Sequence, residues 1–252
     1  MQPTLSPTDL NGSSLVGLLA QWSLVDGPAA KPSFVEGLSQ WLGWTHAIDL
    51  SAALNAAAPG AVPALSARPG AAAEFNRVRA ALVRAIEDDG SAPRGGGQPR
   101  TRAGPAVAAP VATEDLGTDF SAHRQRCIRL QQSMESAIAP LRAKVRASVA
   151  ALSPQLSQLA ALDAVMADVL GEREQALLGT LPSVLQKHFD RLQRAAPSEP
   201  GAPATAGSAP PAWLPRFRQD MQRLLLAELD LRLQPVLGLL EAGAAHPSTK
   251  VS

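Results

Sequence analysis

The sequence has no tyrosine, few aromatic residues of any kind and a single cysteine, Cys127. One cysteine excludes a disulfide within the chain and a zinc site built from several cysteines, so we expect a reducing compartment. Positive and negative residues nearly balance, with 23 Lys and Arg against 22 Asp and Glu. This balance gives the whole molecule no general attraction to nucleic acid or to an anionic membrane, so any affinity for anions must be local.

Long apolar runs are also missing, because none reaches the roughly 18 residues that a membrane-spanning helix needs. The first residues, MQPTLSPTDLNGSS, have neither the basic start nor the apolar centre of a secretory signal. We therefore expect a cytoplasmic protein without direct membrane insertion, which meets a membrane only through a partner.

Recognised catalytic motifs are absent as well. The sequence contains no Walker loop, no Rossmann glycine fingerprint, no HExxH and no GxSxG. His123 and Cys127 are four residues apart, so a thiolate–imidazole pair could form on one helix face. Inert packing of the thiol is favoured over catalysis because no third group supports the pair. The other histidines, His46, His188 and His246, are isolated and are predicted to be surface or core-edge residues. We expect a protein that is not an enzyme, with no cofactor, metal or catalytic site.

The residues that are abundant favour helices. Ala, Leu and Arg are good helix formers, and few segments are rich in β-branched residues. The pattern predicts an all-α protein with a small N-terminal helical domain at residues 10–88, a central antiparallel helical bundle at residues 114–195 and a Leu-rich C-terminal helix at residues 213–242. Residues 89–113 and 196–212 are rich in Pro, Gly and Ala and are predicted to be disordered linkers, because they hold few large apolar residues to offset the entropy of ordering.

The N-terminal domain is predicted to contain four short helices. Ser33 and Glu36 have the spacing of a capping box, which would start the second of them. Three tryptophans, Trp22, Trp41 and Trp44, fall in this small segment. We expect them to form a core rather than a ligand cage, since each can bury about 150–250 Å².

Three prolines interrupt the helical pattern of the bundle. Apolar residues recur every 3.6 positions from Met134 to Leu170, which favours lateral packing over a long coiled coil. An interior proline costs about 3 kcal/mol, whereas one in the first turn costs little. We therefore predict helix breaks at Pro140, Pro154 and Pro182, giving helices of about 12 to 25 residues. A bent continuous helix is the alternative.

The C-terminal helix carries a wide apolar surface. Glu228 and Arg232 are four residues apart and favour a helix over the strand-like alternation in LDLRL. The candidate partner-binding face consists of Phe217, Met221, Leu225, Leu229 and Leu233. This face could dock on the bundle, on a second copy or in the groove of a partner, and docking on its own chain is the commoner case.

One local cluster of positive charge is present, formed by Arg124, Arg126, Arg129, Arg142, Lys144 and Arg146. It could bind phosphates, which gives nucleic-acid binding as the alternative function. A solvated bundle face is favoured because aromatic stacking residues are missing from this region.

Three stretches carry a resemblance to known sequences: FVEGLSQWLGWTHAIDLSAALN, LSQLAALDAVMADVLGEREQALLGTLPSVLQKHFDRL and FRQDMQRLLLAELDLRLQPVLGLLEA. Through them the chain resembles an uncharacterised family of bacterial proteins defined only as a domain of unknown function. The resemblance implies an all-helical protein whose relatives lie in gene clusters with an OmpA-like envelope protein, and hence the cytoplasmic part of an envelope-associated assembly. It implies no activity, cofactor or catalytic residue.

Together these observations favour a non-enzymatic helical scaffold or adaptor. Its separate helical surfaces would act through protein–protein contacts, either with a partner protein or by self-association. Nucleic-acid binding through the basic cluster remains the alternative.

Overall fold

The computed structural model describes residues 14–22, 44–55, 67–88, 119–196 and 211–246. Within these ranges the chain forms helices and no strand, which confirms the predicted all-α fold. The helices are α1 (Ser14–Gln21), α2 (Trp44–Asn55), α3 (Ala67–Glu87), α4 (Phe120–Ala150), α5 (Pro154–Leu178), α6 (Leu181–Ala195) and α7 (Trp213–Ala245).

The two longest helices, α4 and α7, form the centre of the molecule. Matching contacts such as Gln131 with Glu228 and Val149 with Gly243 show that they run parallel. The α3 helix packs antiparallel across both, and α5 returns antiparallel along α4. The smaller helices complete the layers: α1 packs on α7, α6 on both α4 and α7, and α2 on α5. Each fully buried Leu, Met or Phe in this core contributes about 1.5–3 kcal/mol to stability.

Helix ends follow the sequence signals at two of the three prolines. Ser153 caps α5, with its side-chain oxygen accepting from the Leu156 amide at 3.2 Å, and Pro154 occupies the first turn. Pro182 lies in the first turn of α6, directly after the stop at Gly179 and Thr180. A Cβ on Gly179 would lie 2.9 Å from the Gln175 carbonyl oxygen, which explains a glycine at this tight turn. The predicted breaks at Pro154 and Pro182 are confirmed.

The break predicted at Pro140 is wrong. The α4 helix runs without interruption through this residue and is 31 residues long. Pro140 is exposed, so water can satisfy the carbonyl group of Ser136 that the proline leaves without a donor. Ile138 and Leu141 are buried on either side of it. Burial of this continuous stripe outweighs the local cost of the proline.

The N-terminal helices share their core with the rest of the chain. One buried cluster includes side chains of α4 and α7 together with Leu15 and Trp22 of α1 and Phe75 and Ile86 of α3. Trp22 is thus a core residue, as predicted. The domain boundaries themselves stay a prediction. Several predicted features lie outside the described residues: the linker at residues 89–113, the interior of the linker at residues 196–212, the capping box at residues 33–36, Trp41 and the Trp44 side chain.

Candidate functional site

The predicted partner-binding face lies in the core of the chain. Its five side chains, Phe217, Met221, Leu225, Leu229 and Leu233, are each at most 1% exposed. They are covered because α7 packs on α4, which is docking on the chain's own bundle. Partner binding through this face stays a prediction, and it would require α7 to leave the core.

Most of the predicted basic cluster is engaged within the chain. Arg142 pairs with Asp163 through two bonds of 2.9 and 2.6 Å, and Arg146 lies 3.6 Å from the same carboxylate. Lys144 pairs with Glu74 at 2.7 Å, while Arg126 donates to the carbonyl oxygens of Ile86 and Asp88. Arg124 and Arg129 are exposed and form no ion pair with the described residues. The six residues spread along about 33 Å of α4, at 1.5 Å per residue, and do not form one compact patch.

Cys127 and His123 lie on the buried side of α4. The Cys127 thiol is fully buried, and burial raises its pKa to about 12, with Glu228 acting in the same direction. Burial also lowers the pKa of His123, whose Nε2 has no hydrogen-bond partner among the described residues. The thiol is therefore protonated at neutral pH, in agreement with the predicted inert packing.

His188 departs from its prediction as an isolated surface or core-edge residue. It is only 2% exposed and lies at the junction of α1, α6 and α7. Its Nε2 is 2.9 Å from Asp220 Oδ2, and its ring stacks on Trp22 with centroids 4.2 Å apart. Arg191 Nη2 lies 3.1 Å from the other ring nitrogen, Nδ1. Tertiary packing thus brings together residues that are distant in sequence. His46 and His246 are half-buried, as predicted for core-edge residues.

The hydrogen bonds of His188 define its protonation. A guanidinium group can only donate, so Nδ1 accepts from Arg191, and Nε2 carries the proton that is donated to Asp220. Burial lowers the pKa of His188, and Arg191 and Arg216 act in the same direction against the opposing effect of Asp220. The imidazole is neutral at pH 7, and neither ring nitrogen is free to act as a base.

A cleft of about 580 Å³ opens beside this histidine. We call it the arginine cleft; the residues that matter for its chemistry are Trp22, His188, Arg191, Arg216, Asp220 and Arg223. Three guanidinium groups and one carboxylate give it a formal charge of +2, counted as three minus one. Such a concave site with an excess of one charge concentrates the field and attracts anions.

The three arginines of the cleft differ in how firmly they are held. Arg191 is tied to the backbone carbonyl oxygen of Trp22 and to His188, which are both neutral acceptors. Arg223 is 56% exposed and its Nη1 lies 3.7 Å from Asp220 Oδ1, a loose ion pair. Arg216 is exposed and forms no ion pair within the part of the chain that the structure describes. Arg216 and Arg223 are therefore the cations open to a ligand.

The sequence contains part of the signal for this cleft. Arg216, Asp220 and Arg223 are spaced by four and three residues, which places them on one face of a predicted helix. His188 and Arg191 are likewise three residues apart. The contact between α6 and α7 could not be predicted, because it joins segments on opposite sides of residues 196–212.

A separate buried network pins α4, α5 and α7 together. Glu228 is fully buried and accepts from Gln131 Nε2 at 3.1 Å and from Arg232 Nε at 2.9 Å. Gln131 also donates to the carbonyl oxygen of Leu178, and Arg232 lies 3.5 Å from Glu135. Burial raises the pKa of Glu228, against the opposing effect of Arg232. The predicted proximity of Glu228 and Arg232 is confirmed, and its role here is structural.

Neither a metal centre nor a membrane span is found in the described ranges. No three His, Cys, Asp or Glu side chains there are placed to hold a metal ion. None of the helices described combines the length and the apolar character needed to cross a bilayer.

The fold and the site define an all-helical protein with a basic cleft at the junction of three helices. The chain belongs to the family described as protein of unknown function DUF3348, whose model matches residues 1–245. This finding confirms the resemblance to an uncharacterised domain family. No curated protein and no solved structure matches the chain.

Proposed function

We propose that the protein is a non-enzymatic helical adaptor or scaffold that acts through protein–protein contacts, with its partner seated at the arginine cleft. The observation that supports this function is the excess of positive charge in an open cleft, where Arg216 and Arg223 are exposed. Charged clefts of this kind steer a complementary partner and fix its register.

The state of the side chains that could in principle catalyse a reaction favours a binding function over an enzymatic one. The Cys127 thiol is buried and protonated, so it is a poor nucleophile. Both nitrogens of His188 are occupied, which leaves the cleft without a free general base on that ring. A cleft of arginines whose histidine already has both ring nitrogens occupied is suited to holding an anionic group.

The family resemblance motivates a proposal for the setting of the adaptor. We propose a cytoplasmic protein that forms part of an envelope-associated assembly and reaches the membrane through its partner. Self-association remains a second way in which the cleft could be filled, because a second copy of the chain also offers carboxylates.

The experiment is affinity purification of the tagged full-length protein from detergent-solubilised native cells, with and without nuclease, followed by mass spectrometry. The test variant is R216E/R223E, which reverses the two exposed charges of the cleft. The matched control is R124E/R129E, which reverses two exposed charges on α4. We expect proteins that survive nuclease treatment, are lost with R216E/R223E and are retained with the control. An unchanged set of proteins with R216E/R223E would overturn the proposal.

Nucleic-acid binding is the second candidate, and the exposure of Arg124 and Arg129 is the observation that favours it. It predicts co-purified nucleoid or ribosomal proteins that disappear on nuclease treatment and with R124E/R129E. It also predicts an affinity for DNA that falls steeply with salt. Absence of binding to single-stranded and duplex DNA at low salt would remove this candidate.

A further inference from the structure

The arginine cleft contains its own carboxylate, Asp220, and the two oxygens of that group are in different situations. Oδ2 accepts from His188 Nε2 at 2.9 Å, which anchors the side chain. Oδ1 lies 3.7 Å from Arg223 Nη1, beyond the distance of a good hydrogen bond. The Asp220 side chain is only 9% exposed, whereas that of Arg223 is 56% exposed. Asp220 is therefore fixed, and Arg223 is free to exchange it for a better-placed acceptor.

We propose that the cleft binds an acidic segment of a protein partner, whose carboxylates pair with Arg216 and Arg223, and that one of them replaces Asp220 on Arg223. This inference rests on the proposed adaptor function and adds the chemistry of its ligand. Arginine suits the role because its planar guanidinium group can hold a carboxylate through two parallel hydrogen bonds.

The spacing of the two arginines favours a segment over a single small anion. Arg216 and Arg223 are seven residues apart on α7, so their backbones are separated by about 10 Å at 1.5 Å per residue. A segment in the polyproline II conformation rises about 3.1 Å per residue with three residues per turn, so acidic residues three positions apart lie on one side of it and span a similar distance. Two carboxylates on one peptide can engage both arginines at this backbone separation, whereas a single phosphate would need both side chains to converge on it.

The inner wall of the cleft strengthens such pairing. Trp22 and His188 stack with an interplanar angle of 7° and are both buried, so this side of the cleft is poorly hydrated. Charge pairs are stronger where water is excluded from one side. Asp220 offsets part of the positive charge while the site has no ligand, and it competes with the incoming carboxylate for Arg223.

The test measures binding of a fluorescein-labelled acidic peptide to the full-length protein by anisotropy at low salt. The peptide has about twelve residues with glutamate at every third position, which places the carboxylates on one side of a polyproline II segment at about the spacing of the two arginines. We expect R216Q/R223Q to weaken binding by about tenfold or more, and D220N to strengthen it by about threefold to tenfold because a competing charge is removed. The control R124Q/R129Q should stay within about twofold of the unmodified chain, since these two arginines do not line the cleft.

Folding is checked by thermal melting of every variant. Arg216 and Arg223 are exposed, so R216Q/R223Q tests the proposal even if D220N unfolds. Unchanged affinity in R216Q/R223Q overturns the inference, as does equal binding of a peptide with glutamine in place of glutamate. Displacement of the peptide by an equal concentration of inorganic phosphate also overturns it, because the site then recognises a single anion.

The two proposals fail in different ways. Loss of native partners with R216E/R223E, together with no affinity for the acidic peptide, contradicts the ligand chemistry and leaves the adaptor function standing. Retention of all native partners with R216E/R223E contradicts the adaptor function at this cleft, whatever the peptide does.

Discussion

Individual residues in this chain show how burial changes the chemistry of polar groups. His123 and His188 are both buried and have lowered pKa values, yet only His188 has its nitrogens satisfied. His123 is surrounded by aromatic rings, with that of Phe217 at 5.1 Å and that of Phe189 at 6.0 Å between centroids. The two histidines should therefore differ in how much their replacement changes stability, because only His188 has hydrogen-bond partners that would lose it.

Replacement of each histidine by phenylalanine should have unequal effects. H188F leaves Asp220 buried without its hydrogen-bond donor, and we expect a loss of about 2–4 kcal/mol in the free energy of unfolding. H123F removes an unsatisfied polar atom from an aromatic cluster, and we expect a change of less than about 1 kcal/mol. Urea unfolding at pH 7 measures both. Equal destabilisation by the two substitutions would contradict the assigned environments.

The same histidines predict a pH dependence of stability. Their folded pKa values lie below the ordinary value of 6.5, so the unfolded chain takes up protons first as the pH falls. The free energy of unfolding should therefore decrease as the pH falls through 6.5 and below. Glu228, with its raised pKa, acts in the opposite direction above its ordinary value of 4.5. The difference between the unmodified chain and H123F isolates one histidine, and no difference in slope would contradict this account.

Glu228 and Arg232 should behave as a coupled pair. R232M leaves the Glu228 carboxylate buried without its cation, and we expect a loss of about 3–5 kcal/mol. In the double variant E228Q/R232M the buried charge is also gone, so the loss should be markedly smaller than the sum of the two single losses. Denaturant titration of R232M, E228Q and the double variant gives the coupling energy between the two side chains. Additive losses would show that the pair does not act as a unit.

At the scale of elements, local sequence predicts helix ends better than helix partners. The helix ends at two places were predicted correctly, from Ser153 followed by Pro154 and from Gly179 followed by Pro182. These signals work because capping and first-turn geometry depend only on neighbouring residues. The helix end predicted at Pro140 was wrong, because the helix is held together there by the burial of residues on both sides of it, which comes from tertiary packing. The parallel pairing of α4 and α7 has no local signal, since α5 and α6 separate them.

The position of each proline predicts what alanine would do there. P140A restores an amide donor to the Ser136 carbonyl inside α4, and we expect a gain of about 1–2 kcal/mol in the free energy of unfolding. P154A, in the first turn of α5, should change stability by less than about 1 kcal/mol, because its amide has no partner within the helix. A destabilising effect of P140A in urea unfolding would contradict the position assigned to Pro140.

At the scale of the molecule, packing decides which surfaces remain for a partner. The apolar face of α7 that the sequence offers for binding is buried against α4, and most of the basic cluster is paired within the chain. The arginine cleft remains, with two exposed guanidinium groups at a junction of three helices. Sequence pattern could place residues on faces of helices, but the assembly of those faces into this cleft required the packing of α1, α6 and α7.

The most direct measurement is site-specific photo-crosslinking of the full-length protein in its native cells. A photoreactive residue at Gln219, which lines the arginine cleft, is compared with one at Gln175, which is exposed on α5 outside it. The account predicts a protein adduct at Gln219 that disappears when R216E/R223E is added. A Gln219 position that captures no protein, or an adduct that persists with R216E/R223E, would contradict an adaptor whose partner is held by the arginine cleft.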